Sequence, residues 1–229
     1  IVGRNIEMKL FVAGGCGEHG RNCFYVEQNG AAFLVDCGLL AGAEDNLPRL
    51  NAEQIRTLRA VFLTHSHADH TGALPWLAQQ GYQRPVYATL PTLTQLPFSL
   101  NHIRTLESLC PCKTVGTVPE LPDLQVTWGR SGHCAGSVWL RFDWNGKSIL
   151  FSGDYTEYSP LYPCDLLRGQ KADLAVLDSA YGNTSADWNQ CVKKLCVETV
   201  QRLKQTPLLF FPVPKYGRGP EILLLLKQF

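Results

Sequence analysis

A chain of 229 residues that is 45% hydrophobic can bury one good core, or one core and part of another. Its formal net charge of +1 gives no global pull toward nucleic acid or a membrane surface. No apolar run approaches the ~18 residues of a membrane span, the nearest being "EILLLL", and the first ten residues lack the apolar stretch of a signal peptide. Met8 is the only methionine and reads as the natural start, with the residues ahead of it a remnant of cloning. Nine cysteines, an odd number scattered through strands and helices, read as reduced core thiols of a cytoplasmic protein. Cys110 and Cys112 form the closest pair, but no other ligand types lie nearby, so they read as loop residues.

The first half is rich in strands. "MKLFVAG" leads into the turn "GGCGEHG", and "NCFYVEQ" and "AAFLVDCG" flank Asn29-Gly30. That dipeptide between two β-rich runs predicts a tight hairpin, because both turn positions need positive φ. "NAEQIRTLR" predicts a short helix with Asn51 as its N-cap, feeding the strand "AVFLTH". A second hairpin, "SVWLRFDW" and "KSILFSGD", turns at Asn145-Gly146. Hairpins mixed with crossover helices predict an α/β (α+β) layered domain.

Beyond residue 182 the texture changes. Trp188, Val192, Leu195, Cys196, Val200 and Leu203 fall at helical spacing. "PLLFFPVP" reads as a buried strand and "GPEILLLLKQF" as the start of another helix. Residues 183–229 hold seven Lys/Arg against three Asp/Glu, and the rest 14 against 17. Both an ordinary solvated helix face and a surface facing nucleic acid fit that surplus.

Three of the six histidines fall in "HSHADH". At a strand end, His65 and His67 project to the same side and can share one metal ion. Asp69 and His70 lie just beyond, within reach of a second ion. Nitrogen and carboxylate donors suit zinc, and also manganese or iron. His133 sits among small residues in "GRSGHCAGS", and Asp154 follows the apolar strand "ILFSG". Alone they would be a core histidine and a turn cap; beside the cluster they complete a ligand set. "GGCGEHGRN" either lines the mouth of that site or is only a tight glycine turn; it is no phosphate-binding loop, lacking Gly-Lys-Ser/Thr. Glu18 and His19 receive no role, and His102, without neighbouring ligand types, reads as a surface or core histidine.

"THSHADHTGALP", followed by His133 and Asp154, resembles the successive motifs of the metallo-β-lactamase superfamily. Within it, "GGCGEHGRNCFYVEQNGAAFLVDCGL", "LDSAYGN" and "FPVPKYGRGPEILLLL" resemble the β-CASP nucleases, the group of the ribonuclease J and polyadenylation-cleavage enzymes. Ala180 stands where that group has Thr. The resemblance covers residues 8–229. It implies an incomplete αββα sandwich, with 1–182 the N-terminal part of the metallo-β-lactamase domain and 183–229 the start of a β-CASP insert. His65, His67, His133 and a bridging Asp154 would hold one zinc. Asp69, His70 and Asp154 would hold a second, one ligand short, because the group's two further histidine motifs lie beyond the Gly-Arg helix; manganese is the alternative metal. Asp178 would orient a ligand histidine, or be a strand-end turn residue.

The implied function is dinuclear hydrolysis of nucleic-acid phosphodiesters, RNA before DNA, with Asp69 and Asp178 assisting catalysis. A small-molecule hydrolase of the wider superfamily and a non-catalytic, incomplete module are the alternatives. A truncated sheet would leave an open edge and an apolar helix face, which predicts self-association or a partner chain that completes the fold, and no membrane.

Overall fold

The computed structural model describes residues 7–180, 182 and 187–229. The residues expected to be added ahead of Met8 lie outside these, apart from Glu7. So do Tyr181 and Asn183 of "LDSAYGN", at the expected domain boundary.

The first sheet opens with β1 (Lys9–Gly14), β2 (Cys23–Gln28) and β3 (Ala31–Val35). Asn29 and Gly30 turn β2 into β3 with φ of 54° and 75°, the expected hairpin geometry. Helix α1 (Ala52–Thr57) starts at Asn51, whose side chain accepts from Gln54 N while Gln54 reaches back to Asn51 N. It stops two residues earlier than the sequence suggested. Leu58 takes an extended conformation and opens β4 (Leu58–Phe62), where its side chain is buried. After β4 come α2 (Ala68–Thr71), α3 (Leu74–Gln79), β5 (Val86–Ala88), α4 (Leu90–Gln95) and β6 (Ile103–Thr105). The strands lie in the order β1-β2-β3-β4-β5-β6, antiparallel through β3 and parallel after it.

The second sheet contains β7 (Val115–Val118), β8 (Leu121–Arg130), β9 (Val138–Trp144), β10 (Lys147–Phe151) and β11 (Leu174–Val176). Its order is β11-β10-β9-β8-β7, with only β10 and β11 parallel. Asn145 and Gly146, at φ 48° and 79°, make the second predicted hairpin.

Strands β2, β3 and β4 are buried on both faces, which is why they read as continuous apolar runs. Phe24, Val26, Phe33, Val35 and Phe62 face the second sheet and meet Leu140, Phe142, Trp144 and Phe151. Phe33 and Phe142 approach to 4.4 Å between ring centroids. The alternate residues Tyr25, Leu34 and Val61 pack instead under Ile55 of α1 and Leu74 and Leu77 of α3. This places a helical layer on one sheet and the main core between the two. Arg21, only 1% exposed, pins the glycine-rich turn through Glu18, Asp45 and the Leu47 carbonyl.

Two helices close the described chain, α5 (Trp188–Leu203), capped by Asp187, and α6 (Arg218–Gln228). The expected buried strand between them does not form. Residues 207–214 pair with no strand among the described residues, and Phe210 is 84% exposed. Pro207, Pro212 and Pro214 remove three backbone donors, so the stretch is a poor ladder partner. The helical spacing of α5 is right, but Val200 and Leu203 of its apolar stripe remain exposed, with Cys196 and Thr199 buried. No helix among the described residues is long and apolar enough to cross a membrane.

Candidate metal centre

The site grows from strand ends. β4 stops at Phe62, and Leu63–His67 run as a loop into α2, so His65 and His67 lie beyond the strand proper. Asp36, just after β3 at φ 59°, pins this loop. Its carboxylate accepts from Thr64 N and Thr64 Oγ1, both at 2.8 Å, and from His70 Nδ1 at 2.7 Å. Because the Thr64 hydroxyl donates to Asp36, it is free to accept from His65 Nδ1, 3.1 Å away. Both contacts put a ring proton on Nδ1, which on His65 leaves Nε2 bare. His67 shows the opposite tautomer: its Nε2 lies 3.0 Å from the Tyr216 carbonyl, which can only accept.

The ring nitrogens converge. His65 Nε2 is 3.1 Å from His67 Nδ1, which is 3.2 Å from His133 Nε2. Asp154 Oδ2 lies 3.3 Å from His133 Nε2 and 3.7 Å from His65 Nε2. These four donor atoms all fall within 4.8 Å of one another. Ligands in a tetrahedron with metal–nitrogen bonds of about 2.0–2.1 Å stand about 3.3 Å apart, and the contacts of 3.1, 3.2 and 3.3 Å come near that spacing. The protonation agrees. Burial, together with the charge of neighbouring His70, holds His65 well below its ordinary pKa, and burial brings His133 to about 4. Near neutral pH both rings are neutral and able to bind metal. Asp154 is driven the other way: burial opposes its ionisation, but the hydrogen bond and charge of His70 hold its carboxyl well below the usual range.

A second half adjoins the first. His70 Nε2 is 3.2 Å from Asp154 Oδ1 and 3.7 Å from Asp69 Oδ2. Asp154 therefore faces both halves with different oxygens. Burial lowers the His70 pKa, but Asp36 and Asp154 together outweigh it and hold the ring well above its ordinary value. The glycine-rich turn reaches this half through Asn22, whose Nδ2 lies 3.0 Å from His70 Nε2 and whose N–H donates to the Asp69 carbonyl. Of that turn, Glu18 serves Arg21 rather than the site.

His133 owes its place to close backbone approach. A Cβ on Gly132 would lie 2.1 Å from the Thr156 carbonyl, and one on Gly136 2.7 Å from Thr89 Oγ1. Asp178 makes no hydrogen bond to a histidine among the described residues. Its carboxylate accepts from Tyr155 N and Ala180 N, and so acts on the backbone beside Asp154. His102 is exposed and lies apart from the cluster, and all nine cysteines are free.

Sequence reasoning missed two residues here. Asp36 carries the same signal that marked Asp154, an acid directly after a buried strand, in "LVDCG". The Tyr216 carbonyl carried no signal, because its role is played by backbone from 149 positions further on.

Residues 16–199 match the metallo-beta-lactamase superfamily. Relatives align over nearly the whole chain. The transcription termination factor FttA of Methanothermobacter thermautotrophicus is 30% identical over 251 aligned positions, covering 96% of this chain and 40% of the relative. Integrator complex subunit 11 of Danio rerio is 24% identical, covering 97% and 42%. A ribonuclease of Thermus thermophilus is 27% identical, covering 96% and 54%. The chain thus spans about half or less of the length of these relatives. A match over most of the chain, on a two-sheet fold whose strand-end loops gather the histidines, settles its membership: the chain belongs to the metallo-β-lactamase superfamily.

Proposed function

We propose that this chain is the metal-binding part of a β-CASP-type hydrolase that cleaves phosphodiester bonds of nucleic acid, RNA before DNA. The observation that carries this reading is the convergence of three histidine ring nitrogens and Asp154, with His70 and Asp69 on the far side of the same carboxylate. The relatives add the substrate class, since one is named a ribonuclease and another a transcription termination factor. The domain division follows from the same reading, with 1–182 in the hydrolase domain and 183–229 opening a second.

His65, His67, His133 and Asp154 would hold one divalent ion, and Asp154, His70 and Asp69 would reach another. Zinc suits these donors best, with manganese as the alternative. Bound there, a divalent ion supplies Lewis acidity, bringing the pKa of a water toward ~7 and neutralising charge on phosphoryl oxygens. The chain supplies the rest. Asp69, with its side chain 36% exposed, would take a proton from an attacking water. Asp178 keeps the backbone at Tyr155 in place and so steadies Asp154. The seven basic residues of 183–229 offer partners to a phosphate backbone.

A second reading, an incomplete metal-binding module, is favoured by one observation: the second half gathers only three donors among the described residues. Metal content per chain, measured with cleavage of single-stranded RNA and DNA on the same sample, separates the two. Two ions with RNA cleavage support the nuclease. One ion without cleavage supports the module. Turnover of a thioester or lactone with no nuclease activity overturns both.

A further inference from the structure

We propose that the segment Tyr216–Glu221 is a built part of the metal centre, a latch that fixes which nitrogen of His67 faces the ligand cluster. The inference rests on the reading of His67 as a ligand. A histidine in solution places its proton on either ring nitrogen. Here Nε2 sits 3.0 Å from the Tyr216 carbonyl, so Nε2 must carry the hydrogen and Nδ1 is left bare toward His65 and His133.

That carbonyl is held by a set of contacts to the loop after Asp154. Gly217 turns the chain at φ 104°, and a Cβ there would lie 3.3 Å from the His133 carbonyl. Its own carbonyl accepts from the Tyr162 hydroxyl at 3.2 Å. Glu221, in the first turn of α6, is 2% exposed, while Leu223 of the same helix is 71% exposed. A helix that buries its carboxylate and exposes its leucine inverts the ordinary pattern, and burying that carboxylate is costly unless it is partnered. Its partners are Arg218, at 3.0 Å, and the Ser159 hydroxyl. Ser159 and Tyr162 belong to the loop that follows Asp154. The latch therefore ties the start of α6 to one ligand's loop and presents its backbone to another ligand. Glu221, Ser159 and Tyr162 act through Tyr216 and His67, as positioning residues.

The test is the ring tautomer of His67, read by long-range nitrogen–proton NMR on metal-free protein, with zinc affinity measured against a chromophoric chelator. Wild type is expected to hold the proton on Nε2. Glu221→Ala should give a mixture of tautomers and a zinc affinity lower by about tenfold to a hundredfold, the range for removing support of a ligand. Ser159→Ala and Tyr162→Phe should shift both readouts the same way by less, and they decide the matter if Glu221→Ala does not fold. A wild-type proton on Nδ1, or unchanged tautomer and affinity in all folded variants, overturns the latch. His67→Ala with wild-type zinc content would instead overturn the ligand reading.

Discussion

Phe142 and Phe210 have the same side chain and opposite fates. Phe142 is fully buried between the two sheets, in contact with Phe33 and Phe62. Phe210, in the C-terminal segment, is 84% exposed. The contrast extends to the regions around them. The two-sheet body buries a continuous apolar core and exposes large apolar side chains mainly at its edges and loops, such as Phe11, Ile103, Val115 and Leu174, whereas residues 187–229 bury chiefly Cys196, Thr199 and Glu221 and leave Leu208, Phe210, Leu223 and Phe229 in solvent. The body is organised by its core. The C-terminal segment meets the body through few contacts, among them the stacking of Trp188 on Tyr158 and the hydrogen bonds of Tyr216, Gly217 and Glu221 beside the metal centre.

The sharpest way to break this comparison is at the seam, because His67 is where the two regions meet. His67→Ala should remove the first-site metal outright, while Cys112→Ala, in the body and hydrogen-bonded to Asp165, should leave metal content unchanged. Equal metal in the two variants would end the ligand assignment. Next in size is the pair that opened the comparison. Phe142→Ala should destabilise by about 3–5 kcal/mol, the usual cost of emptying a packed aromatic site. Phe210→Ala should change stability by no more than about 0.5 kcal/mol. Denaturant unfolding of both at fixed metal concentration checks the ratio.

The same division explains what could be read without coordinates. The hairpins at Asn29-Gly30 and Asn145-Gly146 and the Asn51 cap were legible because a local rule fixes each one: positive φ, or a side chain that must reach the third backbone N–H. The histidine cluster was legible because ligand types crowd into a few positions at a strand end. The buried strand expected at 207–214 failed because apolarity was read as burial. Burial needs a partner surface, which no local pattern reveals. The latch was illegible for a related reason, since a backbone carbonyl has no residue type. Asp36 is different: its signal was present in "LVDCG", but a lone acid after a strand also fits an ordinary turn.

A smaller effect lies within the body and depends on pH. Asp165 is 7% exposed and accepts from Arg130 Nε, Nη2 and N, with Lys113 at 3.3 Å. Hydrogen bonds from Arg130 hold its carboxyl well below the usual carboxylate range, although burial opposes them. A folded-state pKa below the unfolded value means that stability is fully present above the unfolded pKa of about 3.9 and is lost as pH falls toward the folded one. Asp165→Asn should therefore cost about 1.5–3 kcal/mol at pH 7, as for hydrogen bonds to a charged group, and the gap from wild type should narrow below about pH 4. A gap independent of pH would show that shape, rather than charge, makes the contact valuable.

The smallest expected effect on folding carries a different readout. Phe210, Leu208 and Leu223 present apolar surface that the described chain does not cover, and exposed apolar surface favours association by the same burial that builds the core. Phe210→Ser should leave the unfolding free energy within about 0.5 kcal/mol of wild type, because the ring contributes almost no buried area. Yet it should lower the average mass of the protein in solution at high concentration. Light scattering over a concentration series reads that mass directly. If wild type is a clean monomer at every concentration, the exposed ring is tolerated as it stands, and self-association through this segment is refuted. If wild type associates and the serine variant does not, the C-terminal segment already behaves as a surface that is stable only when covered. Its polar latch at the metal centre is then the part of it that folds onto the body without a partner.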